Sequence, residues 1–150
     1  MNAPPGGFVL ELQMVMDSPR ERIFSALTDS TALARWFGPR GFTMPEIEVD
    51  LHVGDGYRFT MQPPEGRRFQ ISGEFLEIEA PRRLVYTFRY EEPDPDDRET
   101  VVALTLEEVG HATEVSVSQG EFATEERLEL HRSGWTDSLE KLSELAASSA

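Results

Sequence analysis

After a short Pro/Gly-rich start, the chain alternates strictly between apolar and polar positions. Phe8, Leu10, Leu12, Met14 and Met16 fall on one side, with Glu11 and Gln13 opposite, which predicts a half-buried strand. Asp17-Ser18-Pro19 then starts a helix. Ser18 is the expected N-cap, Pro19 suits the first turn, and Glu21 three residues after Ser18 completes a capping box. Ile23, Phe24 and Leu27 form the apolar stripe of this helix. Asp29-Ser30 breaks it, and Thr31 to Trp36 forms a second short helix ending at Gly38-Pro39.

From there the period changes to two. Ile47, Val49 and Leu51 share one side of a strand from Glu46 to Leu51, and Gly54-Asp55-Gly56 turns the chain. Tyr57, Phe59 and Met61 alternate with Arg58, Thr60 and Gln62, and Pro63-Pro64-Glu65-Gly66 closes a hairpin. In Phe69–Ile78 the apolar parity switches at Phe75-Leu76, which predicts a bulge; Gly73 just before it fits a sharp bend. Ala80-Pro81 turns the chain again. Leu84, Tyr86, Phe88 and Tyr90 share a side of the next strand, and an acidic loop with Pro93 and Pro95 runs from Glu91 to Asp97. Val102, Leu104 and Leu106 mark one more strand, Gly110 a turn, and Thr113, Val115 and Val117 the last strand. Gly120 is expected to separate that strand from a long helix, Thr124 to Leu145, capped by Thr124 with Glu125 and Glu126 in its first turn.

The order is strand, two short helices, six strands, long helix. Consecutive strands joined by short loops imply an antiparallel meander, so the fold class is α+β: a curved antiparallel sheet of about seven strands wrapped around a long C-terminal helix. One domain is expected over residues 1–150, with residues 1–7 and 146–150 frayed.

One face of this sheet carries Phe59, Met61, Phe75, Tyr86, Phe88 and Leu104, and only the last helix is long enough to cover it. That helix presents Leu128, Trp135, Leu139, Leu142 and Ala146 at core spacing, with His131 and Ser138 on the flank of the stripe. Gly134 costs about 1 kcal/mol against alanine in a helix interior, so it needs a reason, either close backbone approach or open space beside the sheet. Aromatic residues opposed by His, Gly and Ser describe a cleft with a few polar groups, the usual composition of a ligand site. The candidate ligand-binding residues are therefore Trp36, Phe59, Met61, Phe75, Tyr86, Phe88, Leu104, Leu128, His131, Gly134 and Trp135. Trp36 and Trp135 can serve either as plain core or as walls that stack on a flat apolar ligand.

Composition narrows the chemistry. No cysteine is present, which removes disulfide frameworks, cysteine–zinc sites and thiol nucleophiles and fits a reducing compartment. His52, His111 and His131 are far apart, Asp50, His52 and Asp55 meet only at a turn, and Asp94, Asp96, Asp97 and Glu99 lack the spacing of a calcium loop. No metal and no cofactor is expected, and there is no nucleophile motif. His131 or Tyr86 would be the acid or base of a rival enzymatic reading. The net charge of −14 repels phosphate backbones and anionic lipid, so neither nucleic acid nor a membrane is an expected partner. No apolar run is long enough to span a bilayer and no signal peptide is evident, which makes a cytoplasmic location the default.

Several segments together resemble a known family. They are Arg22-Ile23-Phe24-Ser25-Ala26-Leu27, Leu33-Ala34-Arg35-Trp36-Phe37-Gly38-Pro39, Gly73-Glu74-Phe75-Leu76-Glu77-Ile78, Arg83-Leu84-Val85-Tyr86-Thr87-Phe88, His131-Arg132-Ser133-Gly134-Trp135 and Leu139-Glu140-Lys141-Leu142. From about Phe8 to Leu145 the chain resembles the START-like, helix-grip superfamily. Within it, the chain is similar to bacterial proteins related to the C-terminal domain of the Hsp90 ATPase activator. The resemblance implies an apolar pocket between the sheet and the long helix, with a hydrophobic small molecule as the expected partner. It also implies two rivals, a cyclase or dehydratase acting in the same pocket and a module that contacts a chaperone or another protein. The eukaryotic namesake of the family carries a further N-terminal domain. A monomer or a homodimer is expected.

Overall fold

The computed structural model describes residues 7–148. Residues 1–6 and 149–150, part of the ends expected to fray, lie outside the described residues. The elements run β1 (Phe8–Met16), α1 (Arg20–Thr28), α2 (Ser30–Trp36), β2 (Thr43–Val49), β3 (Gly56–Gln62), β4 (Phe69–Glu79), β5 (Arg83–Tyr90), β6 (Thr100–Val109), β7 (Ala112–Phe122) and α3 (Glu125–Ser148). All seven strands form one antiparallel sheet in the order β1-β7-β6-β5-β4-β3-β2. This is the expected α+β helix-grip: six strands in meander order, with β1 returning to pair with β7 and α3 lying along β1 and β7.

The period-two pattern decides which face is buried. Leu84, Tyr86, Phe88, Val102, Leu104, Leu106, Val115 and Val117 all point inward, beneath Leu128, Trp135, Leu139 and Leu142 of α3. The bulge falls where the parity switches. The β4–β5 register shifts between Phe75 and Glu77, leaving Leu76 as the extra residue, 41% exposed. Gly73 has a separate cause. A Cβ there would collide with the Thr87 carbonyl and lie 2.8 Å from the Tyr57 ring. Tyr57 lies opposite Gly73 in the ladder and its hydroxyl donates to that same carbonyl at 2.7 Å. The tyrosine fills the space that a side chain at position 73 would take.

Four local expectations need correction. The capping box at α1 does not form: Pro19 is the N-cap residue, and the buried Ser18 hydroxyl has no partner among the described residues. The cap is instead at α2, where Asp29 Oδ2 accepts from the Ala32 amide at 2.9 Å and the helix begins at Ser30. Gly120 does not separate strand from helix. It lies inside β7, opposite Val101, at a place where β1 crosses so closely that a Cβ would sit 2.9 Å from Val9 Cγ2. Finally, α3 runs beyond Leu145 to Ser148, with Ala146 buried and its carbonyl accepting from Arg22 at 3.4 Å. At the other end Thr124 caps α3 as expected, its hydroxyl accepting from the Arg127 amide at 3.1 Å.

Candidate functional site

Antiparallel order brings the β3–β4 hairpin, the β5–β6 loop and the start of α3 to one end of the sheet. The segment after α2 covers the same end. Between them lies a cavity of about 660 Å³. Phe37, Phe42, Met61, Phe69, Ile71, Phe88 and Trp135 give it apolar walls. Its polar lining is Gln119, Tyr90, His131 and Ser138, with charged groups from Arg67, Arg68, Glu92, Asp94, Asp97 and Arg127.

Of the eleven residues singled out from the sequence, Met61, Phe88, His131, Gly134 and Trp135 line this cavity. Trp36, Phe59, Phe75, Tyr86 and Leu104 instead surround a gap of about 20 Å³ deeper under the sheet, room for about one water. Leu128 lines neither of these two spaces and is 7% exposed in the core. The difference is one of position along the sheet. Face parity placed the strand residues among them inward, but the cavity occupies only the end where the hairpins meet. Trp36 shows the core role clearly: it is 1% exposed, and its indole N–H donates to the Ala26 carbonyl at 2.8 Å.

Gly134 borders the cavity opposite Pro39. A Cβ built there would meet Pro39 Cγ at 3.6 Å, an ordinary contact, so neither helix nor sheet backbone demands a glycine. Pro39 is brought there by Ser138, whose hydroxyl accepts from the Gly38 amide at 2.9 Å and also contacts the Gly38 carbonyl oxygen at 3.2 Å. Gly38 itself has φ +93°, and a Cβ would lie 2.8 Å from Met61 Cε, so the turn requires glycine. The loop after α2 is thereby pinned to α3 over the cavity.

His131 lies in an aromatic cage. Its ring stacks on Phe122 at 4.8 Å and meets Phe88 edge-on at 5.4 Å, and Nε2 is 3.2 Å from the Tyr90 hydroxyl. Burial, helped by the Arg127 cation, pushes its pKa down to about 4, so the ring is neutral at physiological pH. Burial, with Asp97 nearby, raises the Tyr90 phenol to about 12. Below this pair, Trp135 Nε1 donates to Gln119 Oε1 at 2.8 Å, and Gln119 Nε2 donates to Thr100 Oγ1 at 2.9 Å. The buried polar groups beneath the aromatic wall are thus satisfied by one another.

Tyr90 and Gln119 carry roles that the sequence analysis did not assign. Both continue an alternation already visible: Tyr90 follows Leu84, Tyr86 and Phe88, and Gln119 follows Thr113, Val115 and Val117. Reading Gly120 as a strand end hid Gln119. Arg127 was equally hidden, because a single arginine on a helix carries no signal. In the fold it holds Asp94 at 2.8 Å, Asp96 at 3.0 Å and Asp97 at 3.2 Å, tying the acidic loop to α3. The hydrogen bonds that the guanidinium donates to Asp96 in particular keep its pKa raised.

The Asp50, His52 and Asp55 turn does bring three potential ligand atoms within 4.8 Å of one another. All three residues are exposed, and His52 Nδ1 is already engaged with Asp50 Oδ1 at 2.6 Å. That hydrogen bond to Asp50 raises the His52 pKa, which favours the imidazolium over a neutral metal ligand. Among the described residues no other cluster of this kind occurs.

A model of the family described as activator of Hsp90 ATPase homolog 1-like protein matches residues 17–147. The chain belongs to this family. Solved structures agree with the assignment. A protein from Chromobacterium violaceum is 27% identical with a TM-score of 0.86, covering 95% of this chain and 98% of its own. The AHSA1 protein from Silicibacter pomeroyi is 26% identical with a TM-score of 0.82, covering 95% and 99%. A Rhodobacter sphaeroides protein is 27% identical with a TM-score of 0.78, covering 98% of each chain. No curated protein matches. Among the described residues of this activator-homologue-like chain, no helix is long and apolar enough to cross a membrane.

Proposed function

We propose that this chain binds a hydrophobic small molecule in the cavity between the sheet and α3. The observation that carries the reading is the cavity itself: about 660 Å³, walled by aromatic and aliphatic side chains, with a few polar groups converging on it. Volumes of roughly 300–1,000 Å³ with that lining are typical of small-molecule sites. The family's association with small hydrophobic ligands supports the same reading.

The polar pair favours binding over acid–base catalysis. A general acid or base works best with a pKa near the working pH. His131 at about 4 is a weak base, and Tyr90 at about 12 is a weak acid. Together they offer a neutral donor and acceptor across the physiological range, which suits orienting a ligand rather than moving its protons. Tyr86, the other candidate acid or base, lies outside the large cavity and is raised still further by burial.

Native mass spectrometry of the freshly purified chain, joined to a titration with the dye ANS, tests the reading. The expected results are a non-covalent adduct of small-molecule mass and a saturable blue-shifted fluorescence. A bare chain that also fails to bind ANS would overturn it.

A further inference from the structure

The cavity mouth has an uneven charge distribution. The chain carries 28 acidic side chains against 14 lysines and arginines, so an arginine has carboxylates to spare. Most arginines near the site use them: Arg40 holds Glu140 and Glu144, Arg58 holds Glu91, and Arg127 holds the acidic loop. Arg67 and Arg68, adjacent on the β3–β4 hairpin, line the cavity and form no ion pair among the described residues. Arg68 is held in place without being neutralised. Its Nε donates to Gln62 Oε1 at 2.8 Å, while Gln62 Nε2 donates to the Gly66 carbonyl at 3.0 Å. The hairpin thus fastens one side of the guanidinium to its own frame and leaves the remaining N–H groups at the mouth.

Resting on the binding reading above, we propose that the natural ligand is an amphipathic carboxylate, its hydrocarbon part against Phe69, Phe88 and Trp135 and its carboxylate on Arg67 and Arg68. Guanidinium groups match a carboxylate in shape and charge, and the planar fork gives paired N–H donors. The carboxylates on the same lining, Glu92, Asp94 and Asp97, belong to the β5–β6 loop and not to the hairpin, and none of them pairs with Arg67 or Arg68; Asp94 and Asp97 share Arg127 with Asp96. In a chain of net charge −14, two adjacent arginines without an ion pair beside an apolar space would favour an anion locally where the whole molecule repels it.

The test uses two probes of equal chain length, dodecanoate and 1-dodecanol, titrated into the wild-type chain and into Arg67→Gln/Arg68→Gln at pH 8. Fluorescence of the cavity-lining Trp135 reports binding. Dodecanoate is expected to bind about tenfold tighter than the alcohol, the scale of two partly solvated charge contacts. The preference should shrink in 1 M salt and vanish in the double variant, while the alcohol binds both proteins alike. Equal affinity of the two probes for the wild type, or a preference that survives in the double variant, would overturn the carboxylate assignment and leave the binding reading standing. Failure of both probes to bind the wild type would remove both.

Discussion

His131 is the residue whose environment most constrains what the cavity can do. It is caged by Phe88, Tyr90 and Phe122, and its folded pKa of about 4 lies below the ordinary histidine value of about 6.5. The unfolded chain therefore binds a proton at this position before the folded chain does. The stabilisation is fully present above about pH 6.5, falls as the pH drops through the window between the two values, and is exhausted near pH 4. The span corresponds to a loss of up to about 3 kcal/mol. Urea denaturation at a series of pH values should give His131→Gln a shallower fall in stability than wild type between pH 6.5 and 4. Parallel slopes for the two proteins would show that the imidazole is not held neutral by its cage.

At the scale of elements, the two short helices give a sharp contrast. Ser18 with Glu21 has the spacing of a capping box, yet the cap is at Asp29, where the sequence shows only a break. Spacing alone could not decide this, because a cap depends on the direction in which the chain enters the helix. Here Pro19 takes the cap position, and the Ser18 carbonyl accepts from Thr113 Oγ1 of β7 at 2.8 Å. Tertiary contact with a distant strand overrides the local signal. Asp29→Ala should therefore cost about 1 kcal/mol, the ordinary value of a lost cap. Ser18→Ala removes a buried hydroxyl without a partner and should cost nothing measurable or add slightly to stability. Equilibrium unfolding of both variants checks the pair, and a larger loss at Ser18 than at Asp29 would restore the capping box. The strands were more legible than the helix starts. Period-two alternation fixes the face of each residue, and the parity switch at Phe75-Leu76 located the bulge to the residue.

For the whole molecule, the order of elements and the covering of the sheet by α3 could be read from the sequence, because both follow from pattern and connectivity. The extent of the cavity could not. Phe59, Phe75, Tyr86 and Leu104 share their face with Met61 and Phe88, and nothing in a linear pattern says where along that face packing stops and open space begins. The three-dimensional meeting of two hairpins and a helix start decides that. The loop carrying Pro39, fastened by Ser138, closes the space over Gly134.

Gly134 offers the most direct test of the claim that this space is a binding site. It lines the cavity, and an added Cβ would meet only Pro39, at ordinary contact distance. A leucine at this position has the cavity to occupy. In parallel ANS titrations and thermal melts, Gly134→Leu should melt close to wild type and bind the dye at least about tenfold more weakly, the equivalent of roughly 1.4 kcal/mol. Gly134→Ala, which gains helix propensity without reaching far into the space, should bind nearly as wild type does. Unchanged dye binding by a folded Gly134→Leu would contradict the account. So would a loss of stability on the scale of core overpacking, about 1–3 kcal/mol, because the space beside α3 would then be packed core.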